Sequence, residues 1–208
     1  MHKLIIIFLV FILAGAVSAP ASEPETALKV QERYDKLRAL KADYTQILTN
    51  AATQEEEEHT GRIYFKKPMQ VRWEAKSPQP ELLVMDEGKV WNYFPEEGAV
   101  YEYQVEEVLD SRAMINFISG QAKLAEDFHI QDKGVEDGLD KLKLEPKNPE
   151  PDLVLAYIWA DQDGLLQRIL LKDFFGNTNE LRFSSLETDP ELDPDKFTFQ
   201  KPEDAELR

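Results

Sequence analysis

Cysteine is absent from this chain of 208 residues. Its absence excludes disulfide bonds, a thiol nucleophile, thiolate-ligated zinc and an N-terminal cysteine that could carry lipid. Stability must therefore come from an ordinary apolar core, and a hydrophobic content of 42% is sufficient for one. The length is that of a single domain.

Basic residues are also scarce, because 24 lysines and arginines stand against 40 acids and give a formal net charge of −16. Such a chain is repelled by nucleic acid and by anionic membrane surfaces. We therefore expect no nucleic-acid partner, and partners that are cationic or uncharged.

Motifs of known chemistry are lacking too. There is no Gly-x-Ser-x-Gly, His-Glu-x-x-His or glycine-rich phosphate loop. The acidic run before His59 is interpreted as a solvated loop, His129 as structural, and Asp161-Gln-Asp-Gly164 as a hairpin turn rather than a calcium loop. We predict no catalytic residue, no metal site and no cofactor, although 40 acids leave an accidental carboxylate pair of the glycosidase type open.

One long apolar run occurs, and it lies at the N-terminus. Lys3 precedes eleven apolar residues from Leu4 to Ala14, which are too few to span a bilayer easily. Small residues follow, and Ala21 offers a cleavage point. We predict a signal peptide over residues 1–21, with a retained anchor as the alternative, and a single exported domain over residues 22–208.

Residues 61–95 are the centre of the chain and read as four consecutive strands with tight turns. Apolar residues two apart share a face of a strand in three places: Ile63 and Phe65, Val71 and Trp73, and Trp91 and Tyr93. The run from Glu81 to Met85 is apolar on both faces, which predicts apolar material on both sides of the sheet.

The flanking segments predict further strands and a few helices. An apolar stripe at helical spacing predicts a helix over residues 22–40, carried by Ala27, Val30, Tyr34, Leu37 and Leu40. Strands are expected over residues 42–49, 100–104, 128–133, 142–146, 154–160, 166–172, 180–186 and 197–199, and helices over 107–120 and near 122–128. The predicted fold is α+β, an incomplete, half-open antiparallel β-barrel of about eleven strands with an α-helical lid and one N-terminal helix.

The apolar residues of the strands have two interpretations. They could fill a core, which is the simpler one from periodicity alone. They could instead line a cavity for acyl chains beneath a lid helix. The candidate cavity residues are Ile63, Phe65, Val71, Trp73, Met85, Trp91, Tyr93, Met114, Ile115, Phe117 and Ile118.

An ordered set of residues in the central stretch resembles the LolA family of periplasmic outer-membrane lipoprotein carriers. The set consists of Gly61, Lys67-Pro68, Val71-x-Trp73, Pro78, Asp86, Trp91-x-Tyr93 and Pro95. The resemblance implies a monomeric periplasmic carrier without a cofactor. It implies that the chain takes triacylated lipoproteins from an inner-membrane ABC transporter of the LolCDE type and passes them to an outer-membrane receptor of the LolB type.

The resemblance also implies roles for particular residues. Lys67 stands where the family commonly has an arginine that latches the helical lid. Lysine offers point-like hydrogen-bond donors instead of the planar fork of arginine. A differently gated lid is therefore expected. Val71 and Trp73 match cavity positions, and residues 113–120 match the lid helix. Alternatives of the same fold are a lipid or glycolipid shuttle and a lipoprotein-sensing regulator; a secreted hydrolase is a further alternative.

Overall fold

The computed structural model describes residues 23–86, 88–104 and 123–208, and these build one wide sheet with short helices. The predicted signal peptide and the predicted helix over residues 107–120 lie outside the described residues. Among the described residues, no helix combines the length and the apolar content needed to cross a membrane. The elements are α1 (Glu25–Lys36), β1 (Ala39–Thr49), β2 (Glu56–Lys66), β3 (Gln70–Ser77), β4 (Glu81–Asp86), β5 (Lys89–Phe94), β6 (Ala99–Gln104), α2 (Leu124–Asp127), β7 (Phe128–Glu136), β8 (Leu139–Pro146), β9 (Leu155–Ala160), β10 (Leu166–Lys172), β11 (Thr178–Thr188), a 3-10 helix (Pro194–Phe197) and β12 (Glu206–Leu207).

The twelve strands form a sheet in the order β12-β6-β5-β4-β3-β2-β1-β11-β10-β9-β8-β7. Neighbours are antiparallel except β12, which runs parallel to β6. Strands that follow one another in the chain pair as hairpins within each half, and the pairing of β1 with β11 joins the halves. The sheet does not close on itself, which confirms the predicted half-open antiparallel barrel with one strand more than expected.

Helix α1 lies on the concave face of this sheet. Its buried stripe is Ala27, Val30 and Tyr34, and Leu37 just beyond it belongs to the same apolar core. The predicted end at residue 40 was wrong, because Leu37 has an extended backbone and Leu40 is already in β1. Leu40 keeps the inward orientation that the helical spacing indicated, but it does so by strand alternation.

The hairpin between β9 and β10 packs closely on α1. Its turn is closed by a hydrogen bond from Gly164 N to Asp161 O (2.9 Å), which confirms the predicted turn. The φ of Gly164 is +78°, and a Cβ there would lie 2.6 Å from the backbone carbonyl of Lys29. Only glycine therefore allows the turn and the helix to approach this closely.

Strand β4 has apolar material on both faces, as its sequence predicted. Met85 belongs to the concave core, whereas the buried Val84 faces the other side. There the 3-10 helix packs on β3 and β4 with Phe197 fully buried. The predicted strand over residues 197–199 was wrong, because the Asp193 side chain accepts a hydrogen bond from Asp195 N and Pro194 starts a 3-10 turn.

Candidate functional site

The concave face carries a row of apolar side chains that runs straight across five strands. Cross-strand pairing aligns its members in the order Leu40, Phe65, Val71, Met85 and Val90. All five are at most 3% exposed. The stripe of α1 belongs to the same core. This row is the closed floor of the concave face, formed where successive inward residues of neighbouring strands meet.

A second row lies two residues away on each strand; its members on β1 and β2 are buried, and those on β3, β4 and β5 are more open. It consists of Ala42, Ile63, Trp73, Leu83 and Asn92. Trp73 and Leu83 are only half-buried, although they pack against the core. The concave face therefore passes from a dry apolar floor to partly accessible apolar side chains, the kind of surface on which an apolar ligand can lie.

Tyr44 forms one wall beside Trp73. The two ring centroids are 4.9 Å apart and the ring planes are tilted by 57°. Burial raises the pKa of the Tyr44 hydroxyl to about 12, so it stays neutral at ordinary pH. Opposite it on β2 is Gly61, where a Cβ would lie 2.8 Å from the Tyr44 hydroxyl oxygen and 2.0 Å from the Glu74 carbonyl oxygen. The glycine therefore gives the aromatic pair its room.

Trp91 and Tyr93 do not join this face, which corrects their sequence-based placement in the cavity. Trp91 lies opposite Val84 in β4, so it points to the outer side of the sheet. Its ring stacks on Phe199 at 5.3 Å, and Tyr93 contacts the same ring at 6.3 Å. The inward apolar residue of β5 is the smaller Val90. The two aromatic residues thus anchor the C-terminal segment instead of lining the concave face.

Lys67 connects the β2–β3 turn to the C-terminal end of α1. Its Nζ donates hydrogen bonds to the carbonyl oxygens of Tyr34 (2.7 Å) and Asp35 (3.0 Å). The last carbonyls of a helix have no partner within the helix, and a lysine there satisfies them and complements the helix dipole. Lys67 thus fixes α1 over the closed end of the concave face.

Helix α1 in turn holds the segment that begins at Lys123. The Lys123 ammonium pairs with Asp35 at 2.9 Å, and Leu124 N donates to the Gln31 side chain at 3.0 Å. The hydrogen bond from Lys123 is the largest cause that holds the pKa of Asp35 below its usual value; burial opposes it, and the hydrogen bond from Gln31 adds a smaller lowering. Lys67 and Lys123, which lie far apart in the sequence, therefore bind the same end of α1.

Four of the sequence-based cavity candidates belong to the predicted lid helix. Met114, Ile115, Phe117 and Ile118 lie outside the described residues. Leu40, Tyr44, Leu83 and Val90 line the concave face but were not among the candidates. Alternation alone could have found Leu83, because it stands two residues before Met85.

The sequence suggested a solvated loop for the acidic run before His59. This was wrong for Glu56 to Glu58, because β2 already begins at Glu56. His59 lies 2.9 Å from Glu57 on this strand. Within the described ranges, no three histidine, aspartate or glutamate side chains are grouped so that they could hold a metal ion.

Comparison with known proteins identifies the family. A family model described as outer membrane lipoprotein carrier protein LolA matches residues 35–200. An outer-membrane lipoprotein carrier protein of Methylococcus capsulatus is 30% identical over 188 residues, covering 90% of this chain and 88% of that protein. One from Nitrosomonas europaea is 27% identical over 201 residues, covering 96% and 97%.

Solved structures show the same fold at low sequence identity. An uncharacterized conserved protein from Thermus thermophilus aligns with a TM-score of 0.56 at 14% identity, covering 88% of this chain and 96% of that one. The Mycobacterium tuberculosis lipoprotein LppX aligns with a TM-score of 0.51 at 13% identity, covering 81% and 99%. The family match and the relatives together show that the chain belongs to the LolA family of outer-membrane lipoprotein carrier proteins.

Proposed function

We propose that this chain shields the acyl chains of lipoproteins and carries them through the periplasm to the outer membrane. The observation that carries the proposal is the concave face, where a dry apolar floor passes into the half-buried Trp73 and Leu83. The family is one of carriers, and this chain presents an apolar surface where a carrier needs one.

The energetic problem explains why such a surface is needed. Each CH₂ group buried away from water contributes about 0.8 kcal/mol, so two or three long acyl chains cost on the order of 20–40 kcal/mol to expose. A lipoprotein therefore cannot cross an aqueous compartment unaided. The carrier must cover the chains and still release them, which favours a loosely fitting apolar surface over a tightly packed one.

Lys67 is proposed to control release through α1. The lysine holds the helix end, and the same helix end holds Lys123, the first described residue after the predicted lid. A movement of α1 would therefore also displace Lys123. In this proposal Lys67 acts on the lid indirectly, by fixing the helix that also binds Lys123.

The route follows from the same proposal. Residues 1–21 direct export and are removed, and residues 22–208 act as one domain in the periplasm. The donor is an inner-membrane transporter of the LolCDE type and the acceptor an outer-membrane receptor of the LolB type. The cargo is a triacylated lipoprotein, recognised by its acyl chains on the concave face.

Native mass spectrometry of the mature chain purified from periplasm tests the proposal. We expect a complex with one triacylated lipoprotein, and exchange of that cargo for an added one. Free phospholipid or glycolipid in place of lipoprotein would instead indicate a lipid shuttle. A chain that emerges without ligand and takes no lipoprotein from detergent would contradict the proposal.

A further inference from the structure

Two phenylalanines stand exposed at the turn between β10 and β11. Phe174 is 73% exposed and Phe175 is 77% exposed, and their rings meet edge to face at 5.7 Å. They are the two most exposed large apolar side chains of the described residues. Large apolar side chains that are exposed next to one another mark an interaction site on the protein surface.

The turn that carries these rings is firmly built. Gly176 N donates to Asp173 O, and the Asp173 carboxylate accepts hydrogen bonds from the backbone (2.8 Å) and side chain (2.7 Å) of Asn177. Phe174 N donates to Pro151 O at 2.8 Å, which ties the turn to the loop before β9. The rings are therefore exposed because the backbone holds them outward.

A second neighbour of the turn carries a block of negative charge. Ala51 N donates to the Asn177 side chain at 3.0 Å, which joins the turn to the β1–β2 connection. That connection leads into four consecutive exposed acids, Glu55, Glu56, Glu57 and Glu58. None of these four pairs with a lysine or arginine among the described residues. We name residues 50–58, 147–154 and 173–177 the phenylalanine rim.

We infer that the phenylalanine rim is a docking surface for a protein partner with an apolar pocket surrounded by lysine or arginine side chains. The apolar pair supplies the central contact, and the exposed acids of the β1–β2 connection supply complementary charge. The same acids disfavour an anionic bilayer as the occupant. None of the rim residues belongs to the two concave rows, so the inference does not depend on how cargo is bound.

Site-specific photocrosslinking in the cell tests the inference. The photoreactive amino acid p-benzoylphenylalanine replaces Phe174 or Phe175 in the full chain, and Val135 in the control. Val135 is 69% exposed and lies on the β7–β8 hairpin, away from the rim. We expect one protein, identified by mass spectrometry, to crosslink from positions 174 and 175 and not from 135.

Binding to that purified partner then tests the chemistry. We expect F174S/F175S to weaken binding at least tenfold, and Val135→Ser to leave it unchanged. Replacing Glu55 to Glu58 by glutamine should slow association and reduce its dependence on salt.

Other occupants would overturn the inference. Crosslinking no stronger than at Val135 would mean that no partner docks here. Crosslinks between two copies of this chain would indicate self-association. Cosedimentation with phosphatidylethanolamine–phosphatidylglycerol vesicles that F174S/F175S abolishes would indicate a bilayer contact. Native mass spectrometry of F174S/F175S should still show bound lipoprotein, which separates failure of the docking surface from failure of the carrier function.

Discussion

The ammonium nitrogen of Lys67 lies 2.7 Å from the carbonyl oxygen of Tyr34, although 33 residues separate them in the chain. The contact joins a strand end to a helix end at the closed side of the concave face. Its charge-assisted hydrogen bonds contribute more than neutral ones, because the donor is ionised and the carbonyls otherwise lack a helix partner.

Replacing Lys67 by methionine removes these hydrogen bonds and keeps most of the side-chain length. We expect the free energy of unfolding to fall by about 1–2 kcal/mol, measured by urea titration. We also expect the rate of lipoprotein transfer to an acceptor to change, because α1 loses its anchor. Lys67→Arg should restore both properties in part, since arginine can also reach the carbonyls.

The neighbouring Lys66→Met is the control, because it removes the same charge from the same strand end. If Lys67→Met transfers lipoprotein at the wild-type rate while unfolding more easily, Lys67 stabilises the fold and does not gate release.

Trp73 and Trp91 lie on opposite faces of the sheet. We expect Trp73→Ala to weaken lipoprotein binding at least tenfold, or about 1.4 kcal/mol, because it removes apolar surface from the open row. Trp91→Ala should leave binding unchanged and lower the free energy of unfolding by about 1–3 kcal/mol, because Phe199 loses its stacking partner. Native mass spectrometry with a fixed amount of lipoprotein and urea titration measure the two effects. Equal loss of binding in both variants would contradict the assignment of the concave face.

The same two tryptophans show how far the sequence predicts the site. Alternation placed Trp91 and Tyr93 on one face of a strand, and that is correct. Alternation could not say which face of the sheet this is. The neighbouring β4 is apolar on both sides, so the two aromatic side chains would meet apolar residues in either register. The pairing of Trp91 with Val84 decides the question, and pairing is a property of the assembled sheet.

The end of α1 shows a second limit. Leu37 and Leu40 continue the helical spacing, so periodicity extends the helix to residue 40. Ala39 and Leu40 instead pair with β2 and begin the central strand. Pairing with the distant β2 thus ends the helix before residue 40, although the local apolar spacing continues to that residue. By contrast, the turn at Gly164 was predictable, because a local Asp-Gly signal between two strands determines it.

Gly61 is predicted to be irreplaceable for a steric reason. A methyl group there would lie 2.0 Å from the Glu74 carbonyl oxygen, so the strand pair must shift. We expect Gly61→Ala to cost about 2–3 kcal/mol in the free energy of unfolding and to weaken lipoprotein binding by displacing Tyr44. Gly138→Ala is the control: its φ is +80° but nothing lies within 4 Å of the added Cβ, so about 1 kcal/mol is expected. Similar losses in both variants, measured by urea titration, would contradict the close approach.

Asp189 predicts a pH dependence of stability. Its Oδ1 accepts hydrogen bonds from the backbone N–H groups of Arg38 (2.8 Å) and Ala39 (3.1 Å) at the start of β1. The first of these is the largest cause that holds the pKa of Asp189 below its ordinary value of 3.8. Because the folded pKa is the lower one, the stabilisation is fully present above pH 3.8 and is lost as the pH falls through the folded pKa.

Asp189→Asn keeps an acceptor and tolerates the left-handed backbone at this position, where φ is 51°. We expect the variant to lose about 0.5–1 kcal/mol at neutral pH, a small effect because the side chain is more than a third exposed and solvent screens its charge. The difference from wild type should shrink as the pH falls below about 4, because Asp189 then takes up a proton first in the unfolded chain and, at lower pH, in the folded one. Urea titrations from pH 7 to pH 3, with Glu191→Gln as the surface control, measure this. A difference that stays constant over that range would show that shape, and not charge, makes Asp189 stabilising.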